Sequence, residues 1–146
     1  MTSIDFYFNA QDRLQVACRL AGKAMKQKQR LLIYAPDAGT ASRIDRMLWT
    51  WPAIGFVPHC AANAALAAET PVLIASGEET PEGCEVMLNL GPGCPPHFER
   101  FGRLLELVGV DEDDKQAGRE RYRFYRERGY PLASHDLAQE TRQANE

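Results

Sequence analysis

Two adjoining segments indicate the fold: the apolar run LLIYA at residues 31–35 and the break PDAGT at residues 36–40. A short apolar run that ends at a proline and a glycine is typical of a strand buried on both faces of a parallel sheet. The same pattern returns in PVLIA at residues 71–75 and in EVMLNL at residues 85–90. Several buried strands of this kind predict a mostly parallel sheet.

Helical segments separate the predicted strands. IDFYF at residues 4–8 predicts a first strand, and residues 12–29 carry apolar side chains at helical spacing. A second helix is predicted at residues 41–49. The face of the first helix that points away from its apolar side is basic, with no acid: Arg19, Lys23, Lys26, Lys28 and Arg30.

The second half of the chain continues the alternation. We expect a helix from His97 to about Leu105 and a strand from Leu104 to Val110. A strong helix is predicted from Asp111 to about Arg128, because four acids open it and Gly129 follows it. Strands that alternate with helices predict a single Rossmann-like α/β domain, with helices on both faces of the sheet.

The predicted domain covers residues 1–132, and the polar residues 133–146 are expected to form a flexible tail. With 146 residues, 45% hydrophobic and 25% charged, the composition is that of an ordinary globular protein. No apolar run reaches the roughly 18–20 residues of a membrane span, and the N-terminus does not resemble a secretory signal. The expected location is the cytoplasm. The net charge of −3 argues against direct nucleic-acid binding as the main activity.

The four cysteines are expected to be free thiols, mostly buried, because nothing in the sequence indicates an oxidising compartment. A zinc site would use Cys84, Cys94 and His97, with Cys60 or His59. Since only Cys94 and His97 have a ligand-like spacing, we expect no metal.

Motifs for nucleotide binding or catalysis are missing. The first strand–helix turn, FNAQD at residues 8–12, has no glycine, and neither GxGxxG nor GxxxxGK[ST] occurs. Asp37 and Thr40 are interpreted as a helix cap rather than as phosphate ligands. The sequence therefore favours a binding protein without a cofactor. The alternative is a small nucleotide-binding or hydrolytic α/β enzyme.

An aromatic connector lies at residues 48–59, LWTWPAIGFVPH. Its rings either fill the core or form a surface for a partner. Two prolines and a glycine force an irregular path, and exposed aromatic side chains of this kind are typical of interfaces.

The predicted last helix is strongly basic. Between residues 115 and 128 it has six basic and two acidic side chains, a local charge of +4. At about 100° per residue, four side chains fall within a stripe about 60° wide: Lys115, Arg119, Tyr122 and Arg126. This stripe is either a solvated face or a site for an anion next to an apolar group. The aromatic ring among the cations favours the second interpretation.

Several segments resemble the chi subunit family of bacterial DNA polymerase III. They are DFY at residues 5–7, LWTWP at 48–52, FVPH at 56–59, KQ at 115–116, and RERY with YR between 119 and 126. Their order and spacing cover nearly the whole chain. Gly118 departs from the family pattern, which has a more helix-favouring residue there.

The resemblance implies a non-catalytic adaptor with a Rossmann-like fold and no bound nucleotide. Such proteins bind the psi subunit on one surface and the acidic C-terminal tail of single-stranded DNA-binding protein on another. Their contact with DNA is therefore indirect. The implied tail-binding residues are Val108, Lys115, Arg119 and Tyr122, with Arg126 next to them on the stripe. The implied psi-binding residues are Trp49, Pro52 and Phe56. An interaction module of an unrelated family would use the same surfaces.

Overall fold

Seven strands form one sheet in a computed structural model of the chain, which describes residues 2–50, 59–62, 64, 70–77 and 83–138. The strands are β1 (Ser3–Ala10), β2 (Leu31–Tyr34), β3 (His59–Ala61), β4 (Val72–Ala75), β5 (Val86–Asn89), β6 (Arg103–Gly109) and β7 (Leu132–Asp136). The helices are α1 (Arg13–Lys26), α2 (Ala38–Thr50) and α3 (Glu112–Glu127), with a 3-10 turn at Phe98–Arg100.

Every strand pairing is parallel, and the order across the sheet is β3-β4-β2-β5-β6-β1-β7. Alternate residues of the inner strands face opposite sides, as strand geometry requires. Tyr7 and Leu105 pack with α1 and α2, whereas Phe6 and Leu104 pack with Tyr125 of α3. The predicted Rossmann-like α/β fold, with helices on both faces of a parallel sheet, is confirmed.

The helix predicted from His97 to Leu105 is wrong beyond one turn. The chain makes only the 3-10 turn at Phe98–Arg100 and then enters β6 at Arg103. His97 precedes the turn with a left-handed φ of 58°. The strand forms because β6 has a neighbour on each side, β1 and β5, and these pairings use its backbone hydrogen-bonding groups.

Part of the predicted tail also belongs to the sheet. Leu132–Asp136 form β7, which pairs with β1 and places His135 opposite Tyr7. Residues 133–136, which the sequence analysis assigned to a flexible tail, are therefore part of the sheet. Their polar composition reflects an edge strand, which has solvent on one side.

Candidate functional site

A pocket of about 340 Å³ opens where β1 and β6 end, beneath α3. Carboxyl ends of parallel strands are where open α/β sheets bind ligands. We call this the α3 pocket. β1 contributes Phe6, Phe8 and Asn9, β6 contributes Val108 and Gly109, and α3 contributes Lys115, Gly118, Arg119 and Tyr122.

The structure brings together four of the five residues that the sequence assigns to tail binding. Val108, Lys115, Arg119 and Tyr122 all line the α3 pocket. Arg126 is exposed one turn further along α3 and does not line it. Lys115, Arg119 and Tyr122 share one face of α3, as their spacing predicted, whereas Val108 was assigned by the resemblance alone. The binding role of all four stays a prediction.

Apolar side chains form the floor of the α3 pocket. Val108 is 8% exposed. The half-buried ring of Tyr122 meets Phe6 edge-on, with 5.2 Å between ring centres. Positive charge lies at the rim, because Arg119 is exposed and has no ion-pair partner among the described residues. Lys115 makes a long contact of 3.9 Å with Glu112. The pocket thus combines an apolar floor with available cations.

The start of α3 is fixed to the end of β6. Asp111 caps the helix by accepting a hydrogen bond from the Asp114 amide at 2.8 Å. The Asp114 carboxylate accepts a hydrogen bond from the Gly109 amide and lies 3.5 Å from Arg13 of α1. These contacts hold the first turn of α3, and so the backbone of Lys115, above the strand ends.

Gly118 allows α3 to lie close to β6. A Cβ added at this position would lie 2.8 Å and 3.1 Å from the two methyl groups of Val108. The structure thus gives a physical reason for the glycine that departs from the family pattern: here the helix touches the pocket floor.

Gly118→Ala is expected to lower the free energy of unfolding by about 1–2 kcal/mol. Overpacking costs about 1–3 kcal/mol, and alanine regains up to about 1 kcal/mol of helix propensity. Urea unfolding would measure the loss. In a Val108→Ala background the clash is relieved, so the glycine substitution should become neutral or stabilising there. Strictly additive losses would contradict the proposed contact.

A buried polar network lies behind the pocket, and the sequence analysis did not predict it. Glu106 is 0% and Arg121 is 2% exposed, and Arg121 Nε donates to Glu106 Oε1 at 3.0 Å. Tyr125 Oη donates to the other carboxylate oxygen, and Asn89 Nδ2 donates to Oε1 at 2.9 Å. Burial raises the pKa of Glu106, and the charge of Arg121 and the Tyr125 and Asn89 hydrogen bonds oppose that rise.

The same network holds the loop that follows β5. Arg121 Nη1 donates to the Pro92 carbonyl at 2.9 Å, and Asn89 Nδ2 donates to the Gly93 carbonyl at 2.9 Å. A sequence signal existed for this cluster. Glu106 interrupts an apolar strand on the face that also carries Leu104 and Val108, and Arg121 lies on the side of α3 away from the stripe.

The aromatic connector falls only partly within the described residues. Trp49 lies in the last turn of α2 with 52% of its surface exposed, and its ring centre lies 4.7 Å from that of His59. His59 is buried, with Nε2 3.1 Å from Asp45 Oδ1. Pro52 and Phe56 lie outside the described residues. The one described member of the predicted psi-binding set is thus a half-exposed tryptophan.

Aspartates cap all three α-helices of the described chain. Asp12 accepts from the Leu14 and Gln15 amides, and Asp37 accepts from the amide and hydroxyl of Thr40. Asp111 caps α3, as described above. The predicted Asp37–Thr40 cap is confirmed. Carboxylates occupy the helix N-termini where an α/β fold would otherwise receive a phosphate.

Cysteines and histidines do not converge in the described part of the chain, where no three metal-binding side chains lie close enough to share an ion. Cys18 and Cys84 are buried free thiols, and Cys60 and Cys94 are partly buried. Burial raises the pKa of Cys18 to about 11. None of the described helices is long and apolar enough to cross a membrane.

Comparison with known proteins extends the resemblance over the chain. A family model described as DNA polymerase III chi subunit, HolC, matches residues 1–133. The chain is 38% identical over 141 residues to DNA polymerase III subunit chi of Pseudomonas aeruginosa, covering 94% of this chain and 98% of that protein. It is 30% identical over 119 residues to DNA polymerase III subunit chi of Escherichia coli, covering 81% of each chain. Identity to the Haemophilus influenzae protein of the same name is 27% over 124 residues, covering 84% of this chain and 86% of that one.

Proposed function

Because the chain belongs to the DNA polymerase III chi subunit family, we propose that it is a non-catalytic adaptor of the replicative polymerase. In this role it links the clamp loader, through the psi subunit, to single-stranded DNA-binding protein. Its contact with DNA through these partners is indirect, and its place of action is the cytoplasm.

The observation that carries the proposal is the composition of the α3 pocket. The tail of single-stranded DNA-binding protein ends in acidic residues, a proline and a phenylalanine with a free carboxylate. Val108, Tyr122 and Phe6 offer an apolar surface to the terminal phenylalanine. Arg119 or Lys115 at the rim pairs with its carboxylate, and arginine can do so through two parallel hydrogen bonds.

Arg126 has a different part in the proposal. It is exposed and lies on the same side of α3, one turn beyond Tyr122. From there it attracts the acidic residues that precede the tail's apolar end, without contact with the pocket floor. Charges near a surface are screened within about 8–10 Å at ordinary salt, so this contribution weakens as salt is added.

The aspartate caps favour the adaptor over the alternative of a nucleotide-binding or hydrolytic enzyme. A phosphate at the start of α1, α2 or α3 would have to displace Asp12, Asp37 or Asp111 from the amides that these carboxylates already accept. It would also lie next to that negative charge.

Arg119→Ala is expected to weaken binding of a labelled tail peptide by about tenfold or more, which corresponds to about 1.4 kcal/mol. Arg123→Ala removes the same charge from the same helix, but Arg123 does not line the pocket. Its loss should be about threefold or less. Fluorescence titration at two salt concentrations measures both variants against the parent.

Two results would contradict a defined pocket. Equal losses for the two arginines would indicate diffuse attraction by the basic helix. Undiminished binding of a peptide without its final phenylalanine would show that the apolar floor takes no part. Residual affinity at high salt should belong to the apolar contact alone, because only the charge contribution is screened.

The second surface of the proposal comprises Trp49, Pro52 and Phe56, which we assign to psi. Its support is the 52% exposure of Trp49, since large exposed aromatic side chains are frequent binding hot spots.

A further inference from the structure

A basic surface on α1 takes no part in the proposed function. Arg19, Lys23 and Lys26 are all exposed on this helix. Their spacing of four and three residues places them within about 60° of one another, on one side of the helix. Among the described residues none forms an ion pair with them. We call these three side chains the α1 cations.

A cleft of about 260 Å³ lies between α1 and the β1–β7 edge of the sheet. Arg19 and Lys23 line it on the helix side, and Arg103 and His135 line it on the sheet side. No lining residue is acidic. Two of the α1 cations, Arg19 and Lys23, therefore stand in a cleft that also holds Arg103. Lys26 lies outside the cleft lining, on the same side of α1 and about one turn beyond Lys23.

The sheet side of this cleft is already neutralised. Arg103 Nε donates to Asp5 Oδ2 at 2.7 Å, and His135 Nε2 lies 3.0 Å from Asp5 Oδ1. Burial raises the pKa of Asp5, but the hydrogen bonds from His135 and Arg103 lower it by more. Asp5 is therefore ionised at neutral pH and balances Arg103. The charge left available to a ligand belongs to the α1 cations.

The apolar part of this cleft offers little contact. Val16, Tyr7 and Leu137 are 4%, 8% and 9% exposed, and the Tyr7 ring is stacked on His135 with 4.5 Å between ring centres. Leu20, which is aliphatic, is half-buried. The α3 pocket differs, because the half-buried side chains of Phe8 and Tyr122 there are aromatic. The cleft between α1 and the sheet thus suits a ligand that is bound through charge rather than one with an aromatic anchor.

From these observations we infer that the α1 cations bind the phosphate backbone of single-stranded nucleic acid. From Arg19 to Lys23 the helix advances about 6 Å, close to the spacing of neighbouring phosphates in an extended strand, and Lys26 lies about 4.5 Å further along. The family belongs to a DNA polymerase, so such a polyanion is present where the protein works. The contact is direct and weak, which agrees with the acidic net charge of −3.

Salt dependence gives the inference a quantitative form. Neutralising three phosphates of a single strand predicts that log K falls with log salt at a slope of about −2. The affinity for a fluorescein-labelled 20-nucleotide oligothymidine should therefore fall about 15- to 20-fold between about 50 and 200 mM salt. Anisotropy titration of the full chain measures this slope.

The test compares two variants of equal charge. In the first, Arg19→Gln, Lys23→Gln and Lys26→Gln remove the α1 cations. In the control, Arg43→Gln, Arg46→Gln and Arg123→Gln remove three exposed cations from α2 and α3. We expect the first variant to lose at least tenfold in oligothymidine affinity at about 50 mM salt, with a slope near zero, and the control to stay within about twofold of the parent. Both keep helix-favouring residues, so the parent unfolding transition is expected.

Three results would overturn the inference. One is no measurable binding of the oligothymidine by the parent at low salt. Another is an equal loss in the two variants, which would reflect net charge alone. The third is displacement of the oligothymidine by poly-glutamate at equal charge concentration, which would assign the α1 cations to acidic protein segments. The inference stands apart from the proposed function, because tail-peptide affinity of the first variant should equal that of the parent.

Discussion

Replacing Arg121 with methionine is expected to lower the free energy of unfolding by about 3–5 kcal/mol at neutral pH. The substitution keeps an apolar stem of similar length but leaves Glu106 buried without its cation. Removing one partner of a buried ion pair costs this much because the other charge remains uncompensated. Urea unfolding monitored by circular dichroism measures the loss.

The sign of the pH dependence follows from Glu106. Its pKa is raised by burial and held back by Arg121, so removal of Arg121 raises it further. An acid whose pKa is raised in the folded state favours folding most at low pH, and this contribution is lost as the pH rises. The variant should therefore lie closer to the parent at pH 5 than at pH 8.

A double variant separates charge from packing. Glu106→Gln combined with Arg121→Met removes both charges, so it should recover at least about 1–2 kcal/mol relative to Arg121→Met alone. A double variant less stable than the single one would show that lost hydrogen bonds, rather than the stranded carboxylate, dominate the cost.

Trp49→Ala is expected to weaken psi binding about 30-fold, which corresponds to about 2 kcal/mol for a hot-spot aromatic residue. Because half of the side chain is already exposed, the free energy of unfolding should change by less than about 1 kcal/mol. Isothermal titration with purified psi, together with thermal unfolding of the variant, distinguishes the two effects.

Val110 supplies a matched control for Trp49. It is the other large apolar side chain exposed in the described part of the chain, at 41%, and it follows β6. Val110→Ala should leave psi affinity unchanged. A similar loss in both variants, or a Trp49→Ala protein that is mainly unfolded, would contradict a psi surface at the end of α2.

The position of α3 could be predicted from residues that are close together in the sequence. Its acidic start, its glycine stop and its stripe depend on residues within one or two turns of each other, and the helix bounds and the Asp111 cap follow from them. The helix predicted from His97 to Leu105 is wrong because contacts with distant parts of the chain decide the structure of this segment. Short apolar runs suit a helix or a strand equally, and here pairing with the distant β1 decides between them.

The site shows the same division between local and distant information. Lys115, Arg119 and Tyr122 share a helix face, so their spacing grouped them. Phe6 and Phe8 reach the same pocket from β1, and only the strand order places them there. Arg121 was counted only as one of the six basic side chains of the last helix, because the sequence does not show that a buried carboxylate lies opposite it.

The position of β1 in the sheet means that its partner strands are synthesised long after β1 itself. Asp5 of β1 bonds to Arg103 of β6 and to His135 of β7, partners 98 and 130 residues further along the chain. At about 5–20 residues per second, the ribosome takes roughly 6–26 s to supply the second partner. Until β6 has been made, β1 has no neighbouring strand, and until β7 has been made one of its edges stays unpaired. The first strand to leave the ribosome is thus among the last to be completed, and nascent chains that stop before β7 would expose it as a sheet edge open to aggregation.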